Sequence, residues 1–204
     1  MQHMGAKSET KALALFRQNK GVLRAREAVR LGIYSMTLNR LQNKGLIELI
    51  SRGIYRLTGL EPLSHQDLVI ISERVPGGVI CLLSALAFHK MTTHNPREIF
   101  VAVPRGHLKT RIDWPPVHVF LFGDKAYSEG IETHILDGVS VKVYSREKTL
   151  VDCFKFRNRL GLDVFLEALK AYRGKSPIQV DKILYFAEIC RVKRIIMPYI
   201  ESIL

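Results

Sequence analysis

The fold of the N-terminal part of the chain is decided by residues 24–45, which read RAREAVRLGIYSMTLNRLQNKG. Apolar residues at helical spacing predict two helices here, a short one over Arg24–Leu31 and a longer one over Tyr34–Lys44. Gly32 and Gly45 stand where these helices end, since glycine readily adopts the left-handed conformation of a helix C-terminus. Two helices joined by a short glycine-containing turn are typical of a helix-turn-helix.

The longer helix carries polar side chains on the face opposite its leucines. In a helix-turn-helix this second helix lies in the major groove of DNA, and its outward side chains contact base edges. Arg40 is expected to contact a base edge or a phosphate, and Asn39 can pair with adenine. The candidate base-reading residues are Ser35, Met36, Asn39, Arg40 and Asn43.

The flanking sequence extends this motif to a winged helix. A helix is predicted over residues 8–19, and two apolar strands, 46–50 and 54–57, surround the turn Ser51-Arg52-Gly53. Arg52 is predicted at the wing tip, where a guanidinium group reaches a phosphate or the minor groove. Phosphate contacts are also expected from arginines of the preceding helix, namely Arg24, Arg26 and Arg30.

The charge of the chain is concentrated in this region. The 204 residues include 31 Lys+Arg and 19 Asp+Glu, a net charge of +12, and residues 1–60 hold 11 and 3 of these, which is +8. Glycine and proline mark a joint at residues 58–63. We therefore predict a winged helix-turn-helix DNA-binding domain over residues 5–60 and a second domain over residues 64–204, with Met1–Met4 set aside as a remnant of cloning.

The second domain combines helical and strand patterns. Helices are predicted over residues 64–74 and 83–90, strands over 98–103 and 117–122, and a hairpin around Asp137-Gly138. A basic loop over residues 104–116 carries Arg105, Lys109 and Arg111 against Asp113, and helical periodicity returns after Ser145 and continues into a tail that contains Pro198. The predicted fold class is α+β, with a small antiparallel sheet packed with helices after the winged helix.

Several function classes find no support in the sequence. No apolar run approaches the ~18 residues of a membrane span, no glycine-rich phosphate loop occurs, and the histidines lack metal-ligand spacing, so no cofactor, metal or enzyme activity is predicted. Cys81, Cys153 and Cys190 are interpreted as reduced core thiols of a cytoplasmic protein. A nuclease motif is incomplete, because Ser140 stands between Asp137 and Lys142 where a carboxylate is required.

The sequence resembles a known family in three places. Residues 30–41 with Arg52-Gly53-Ile54-Tyr55, residues 81–86 followed by Thr92-Thr93-His94-Asn95-Pro96, and residues 147–157 are similar to AbiEi antitoxins, the transcriptional regulators of bacterial abortive-infection type IV toxin-antitoxin pairs. The resemblance implies a repressor of its own promoter that also counters a nucleotidyltransferase toxin, with no stable complex required. It carries over Ser35, Met36, Asn39, Arg40 and Arg52 as DNA-facing positions.

Two alternatives remain beside promoter binding. The winged helix could serve protein contacts without specific DNA binding, or the chain could be a metal-dependent nuclease that uses Asp137 or Asp152. Because a single winged helix covers little DNA, we expect two copies, a dimer on DNA, to bind an inverted repeat.

Overall fold

The computed structural model describes residues 2–60, 65–107, 112, 114–174 and 177–202, with the backbone alone over residues 2–7. The chain forms two compact units, Met1–Ile70 with Ile135–Ser140 and Ile71–His134 with Val141–Leu204. Parts of three predicted features lie outside the described residues: the joint at 58–63, the helix start at Ser64, and the charges Lys109, Arg111 and Asp113. The proposed domain division at residues 60–64 stays a prediction.

The first unit contains a winged helix-turn-helix, which confirms the predicted fold of the N-terminal part. Its elements are α1 Gln2–Gln18, β1 Val22–Arg24, α2 Ala25–Arg30, α3 Ser35–Asn43, β2 Ile47–Ser51 and β3 Ile54–Leu57. The three strands form an antiparallel sheet in the order β1-β3-β2. Strand β1 was not predicted, because its three residues are too few to show an alternating pattern.

The turn between α2 and α3 follows from the way α2 ends. Gly32 has φ +80° and its N–H donates to Val29 at 3.0 Å, while Ile33 N–H donates to Ala28 at 2.7 Å. These two bonds form the Schellman ending that favours glycine. Ile33 then joins the core of this unit, made of Ala12, Phe16, Leu23, Ala28, Ile33, Leu38, Leu41 and Ile47.

The elements after the winged helix form a five-stranded sheet and the helices that accompany it. They are α4 Gln66–Arg74, β4 Val79–Ile80, α5 Leu82–Phe88, β5 Ile99–Pro104, β6 Val117–Phe122, α6 Asp124–Ser128, β7 Ile131–Leu136, β8 Val139–Tyr144, α7 Arg146–Lys155, α8 Arg157–Leu160, α9 Leu162–Arg173, α10 Val180–Ile189 and α11 Lys193–Glu201. The strand order is β6-β5-β4-β8-β7. Two consecutive strands, β7 and β8, meet at Asp137-Gly138, as the hairpin prediction required.

The α+β class is confirmed, but the prediction of an antiparallel second sheet is wrong. β5 pairs in parallel with β6, β4 pairs in parallel with β8, and β4 is antiparallel to β5. An apolar strand pattern carries no information about strand direction, and the two-residue β4 that links the two halves of the sheet gives no pattern of its own. The mixed sheet therefore could not be derived from periodicity.

Helix α7 lies at the centre of the second unit. All residues from Glu147 to Phe154 are buried, although four of them are polar or charged. Ser145 caps the helix by accepting a hydrogen bond from Lys148 N–H at 3.3 Å. Residues 81–86 and 147–157 thus contribute to two helices of this core, α5 and α7, which pack together.

Candidate nucleic-acid interface

Helix α3 presents one polar face to solvent. Thr37, Leu38 and Leu41 are buried against the core of the first unit. The opposite face is exposed and consists of Ser35, Met36, Asn39, Arg40 and Asn43, with Met36 63% exposed. The structure therefore brings the five predicted base-reading side chains together on one helical surface.

The helix is held in place by α1. Ser8 Oγ and Thr37 Oγ1 are 3.2 Å apart, and Lys44 Nζ lies 2.6 Å from Glu9 Oε2. These contacts anchor both ends of α3, the first near its start and the second just beyond its last turn. A fixed helix presents its polar face with little conformational freedom, which favours specific contacts.

Arg40 rests on its own helix. Its Nη2 donates to the Met36 sulfur at 3.0 Å, one helical turn earlier. A thioether is a weak acceptor, so a base edge or a phosphate would compete successfully for this guanidinium group. The contact keeps the Arg40 side chain along the exposed face of α3.

The wing is a tight two-residue turn. Arg52 and Gly53 connect β2 to β3, with Gly53 at φ +80° and Arg52 exposed. Ala25 N–H donates to the Gly53 carbonyl at 2.8 Å, and Arg24 pairs with Ile54 across β1 and β3. The start of α2 and the wing turn are thereby joined, which places the backbones of Arg24 and Arg52 close together.

The three arginines predicted for the first of the two helices divide into two kinds. Arg26 and Arg30 are exposed, and their i,i+4 spacing puts them on one side of the helix. Arg24 is half-buried at the end of β1, one residue before α2, so its predicted position inside the helix is wrong. Its pairing with β3 keeps it extended instead.

Positive charge is available for phosphate contact on this unit. Four arginines make no ion pair with any residue that the structure describes, namely Arg26, Arg30, Arg40 and Arg52. Arg56 differs, because its guanidinium Nη2 lies 2.5 Å from Glu48 Oε1 on the neighbouring strand. Unneutralised guanidinium groups are the side chains that release counterions from DNA.

Tyr34 is a candidate contact that the sequence reasoning missed. It directly precedes α3 and is 68% exposed. Its spacing to Leu38 and Leu41 would place it on the buried side if the helix continued through it. The residue instead has φ −80° and ψ 158°, an extended conformation that ends the helical register and turns the ring outward. An exposed aromatic ring at the start of a recognition helix can contact sugar or phosphate.

Comparison with known families agrees with this geometry. Residues 11–58 match a family described as "Transcriptional regulator, AbiEi antitoxin". The N-terminal domain matches the AbiEi family. The matched range contains the polar face of α3 and the wing, and the two AbiEi-like stretches around residues 81–96 and 147–157 lie beyond it.

A solved structure resembles the chain over a longer range. The crystal structure of RV2827C protein from Mycobacterium tuberculosis aligns with a TM-score of 0.57 at 12% sequence identity, covering 89% of this chain and 71% of that chain. At this identity the likeness concerns the fold alone. No curated protein matches the sequence.

Asp152 and the three cysteines, whose side chains could in principle serve catalysis or metal binding, are buried in the core. Asp152, one carboxylate of the nuclease hypothesis, is buried and its Oδ2 lies 2.5 Å from Lys148 Nζ. The three cysteines are buried and none of them forms a disulfide. Among the described residues no group of three or more His, Cys, Asp and Glu side chains is arranged to hold a metal ion, and no described helix is long and apolar enough to cross a membrane.

Proposed function

We propose that this protein is a cytoplasmic transcriptional repressor of its own promoter that binds double-stranded DNA through its winged helix. The observation that carries the proposal is the exposed polar face of α3 in a domain that matches AbiEi transcriptional regulators. Ser35, Asn39 and Arg40 on this face would enter the major groove.

The two groups of polar side chains would have different tasks. Arg40 and Asn39 would contact base edges, Arg40 by paired hydrogen bonds to guanine and Asn39 by paired hydrogen bonds to adenine. Arg26, Arg30 and Arg52, with Arg24 beside the wing, would contact phosphates and set the orientation of the domain without reading sequence. Met36 and Asn43 lie on the same exposed face of α3 as Asn39 and Arg40.

The proposal also includes antitoxin activity. AbiEi-like sequence in the second domain implies that the protein counters a nucleotidyltransferase toxin without requiring a stable complex with it. We place this activity in the part of the chain that follows the winged helix. Promoter recognition would involve two copies on an inverted repeat, because one winged helix buries too little surface for tight specific binding.

A reporter gene under the protein's own upstream DNA tests this proposal. Wild-type protein should repress the reporter, and Arg40→Ala should relieve repression, because a bidentate arginine contact contributes about 1–3 kcal/mol of base discrimination. Lys170→Ala removes one exposed positive charge from α9 and serves as the matched control, with repression retained. Full repression by the Arg40→Ala variant would show that Arg40 does not contribute to base recognition.

A protein-interaction role has one observation in its favour. Val29, Leu31 and Tyr34 are large apolar side chains exposed around the turn between α2 and α3. Such a patch can bind another protein. Weak association with every duplex, insensitive to salt, would favour this function over DNA binding.

A further inference from the structure

A cleft of about 550 Å³ lies in the second unit and is lined, among the described residues, by four cationic side chains. They come from four separate segments: Arg105 follows β5, Lys125 lies on α6, Lys155 ends α7, and Arg191 follows α10. Charges that converge from four segments on one concavity differ from a charged stripe along a single helix. A concavity lined by charges of one sign concentrates the electrostatic potential and attracts anionic ligands.

The four cations have no acidic partner within the described chain. All are exposed, and none makes an ion pair with a described residue. Arg191 also has φ +58°, a left-handed conformation that favours glycine after a helix. This conformation ends α10 and fixes the backbone of Arg191 at the edge of the cleft.

The rest of the cleft is not cationic. Ala126 and Ile189 contribute half-buried apolar surface, and Asp124 contributes an exposed carboxylate. Cys190 is buried beside them and its thiol donates to Asp152 Oδ1 at 3.3 Å. Burial raises the pKa of this thiol to about 12, so the cleft has a neutral sulfur rather than a thiolate that would repel an anion.

These features together select one class of ligand. Guanidinium and ammonium groups bind phosphate oxygens, an apolar surface packs against a heterocyclic ring, and a carboxylate accepts hydrogen bonds from an amino group or a sugar hydroxyl. A polyanion without donors would gain nothing from Asp124. The volume of about 550 Å³ lies within the range of small-molecule sites.

We propose that this cleft binds a free nucleoside polyphosphate, with its phosphates on Lys125, Lys155 and Arg191 and its base against Ala126 and Ile189. Arg105 supplies the fourth positive charge of the cleft. The Asp124 carboxylate accepts a hydrogen bond from the base or the sugar. All residues of the site belong to the second unit, and the site would make that unit a nucleotide-binding domain.

Isothermal titration calorimetry of the full chain with ATP tests the proposal. We expect saturable binding of one ATP, at least about tenfold weaker binding of pyrophosphate, and no detectable heat from adenosine. Lys155→Gln and Arg191→Gln should each weaken ATP binding about tenfold, because each removes a charged hydrogen bond to phosphate. Arg159→Gln, which removes an exposed arginine of α8 outside the cleft, should bind ATP as wild type does.

Three results would overturn the proposal. Equal losses in Arg159→Gln and the cleft variants would mean diffuse attraction to a basic protein, and equal affinity for pyrophosphate and ATP would mean an inorganic anion site. Displacement of ATP by a single-stranded oligonucleotide that binds more tightly would mean a nucleic-acid groove. If Lys155→Gln unfolds, the exposed Lys125→Gln replaces it. The cleft variants should leave selectivity for upstream DNA unchanged, which separates this test from that of the winged helix.

Discussion

Lys148 and Asp152 form an ion pair in the interior of the second unit, with side chains 0% and 1% exposed and a separation of 2.5 Å. The Lys148 ammonium group also lies 4.4 Å from the centre of the Tyr144 ring. Cys190 donates to the other Asp152 oxygen. Both charges are thus compensated on several sides, although both residues lie in the core.

Lys148→Met should destabilise the protein by about 3–5 kcal/mol, because it leaves the Asp152 carboxylate buried without its cation. Urea denaturation measures the change in the free energy of unfolding. The double variant Lys148→Met/Asp152→Leu should recover part of the loss, since it removes both charges, and Lys170→Met on the exposed side of α9 is the control. A loss below about 1 kcal/mol in the single variant would contradict the view that Asp152 depends on Lys148.

Glu167 on α9 provides a pH-dependent contact. The Thr93 N–H donates to Glu167 Oε1 at 2.5 Å and the Thr92 hydroxyl to Oε2 at 3.2 Å, which holds the Thr92-Thr93-His94 stretch against the helix. The hydrogen bonds from Thr93, with a smaller one from Thr92, lower the pKa of Glu167. A lowered pKa stabilises the fold above the ordinary value of about 4.3, and the stabilisation is lost as the pH falls through the lowered value.

Glu167→Gln should therefore lower the Tm at pH 7, and its difference from wild type should shrink on acidification below about pH 4. Thermal unfolding followed by circular dichroism between pH 3 and pH 7 measures this. Glu27→Gln, an exposed acid of α2, is the control for loss of one negative charge. A Tm difference that is constant with pH would show that the Glu167 carboxylate is not responsible.

At the scale of elements, the turn of the helix-turn-helix depends on one glycine. Gly32 has φ +80° and open space where a Cβ would lie, so an alanine there meets no neighbour and only the backbone conformation opposes it. Gly32→Ala should cost about 1 kcal/mol. Gly174→Ala is a matched control because Gly174 ends α9 at φ −75°. Denaturant unfolding compares the two, and equal effects would contradict the assignment of strain to Gly32.

The elements also show what the sequence could reveal. The winged helix was predictable because its signals are local: helical spacing, Gly32 and Gly45 at helix ends, and a short turn at Arg52-Gly53. Elements defined by distant partners were not. β1 exists through pairing with β3, β4 joins β5 and β8, and the parallel pairing of β5 with β6 depends on the path of the connecting chain.

The two candidate sites differ in the same way, since one depends on a local sequence pattern and the other on contacts between distant residues. The exposed face of α3 follows from periodicity, so its five candidate base-reading residues were found in the sequence. Tyr34 was missed because its exposure depends on where α3 begins. The cationic cleft was missed because Lys125, Lys155 and Arg191 are distant in sequence and meet through the packing of α6, α7 and α10. Its nearest sequence signal was the basic loop that contains Arg105.

At the scale of the whole molecule, charge is divided unevenly between the two parts of the chain. Residues 1–60 hold +8 of the net +12. If the winged helix is the DNA reader, the strength of binding should depend steeply on salt, and its selectivity should come from α3. The slope of log K against log salt is about −0.9 for each phosphate neutralised, and Arg52→Ala should reduce its magnitude by about 1 at unchanged selectivity.

The most direct test of the DNA-reading role is a salt titration of binding to the protein's own upstream DNA, with an unrelated duplex of equal length as competitor. We predict that upstream DNA binds ~10³-fold more tightly or better, with a slope of several released ions. Equal and weak binding of both duplexes would contradict this role and leave the winged helix as a basic surface without sequence recognition.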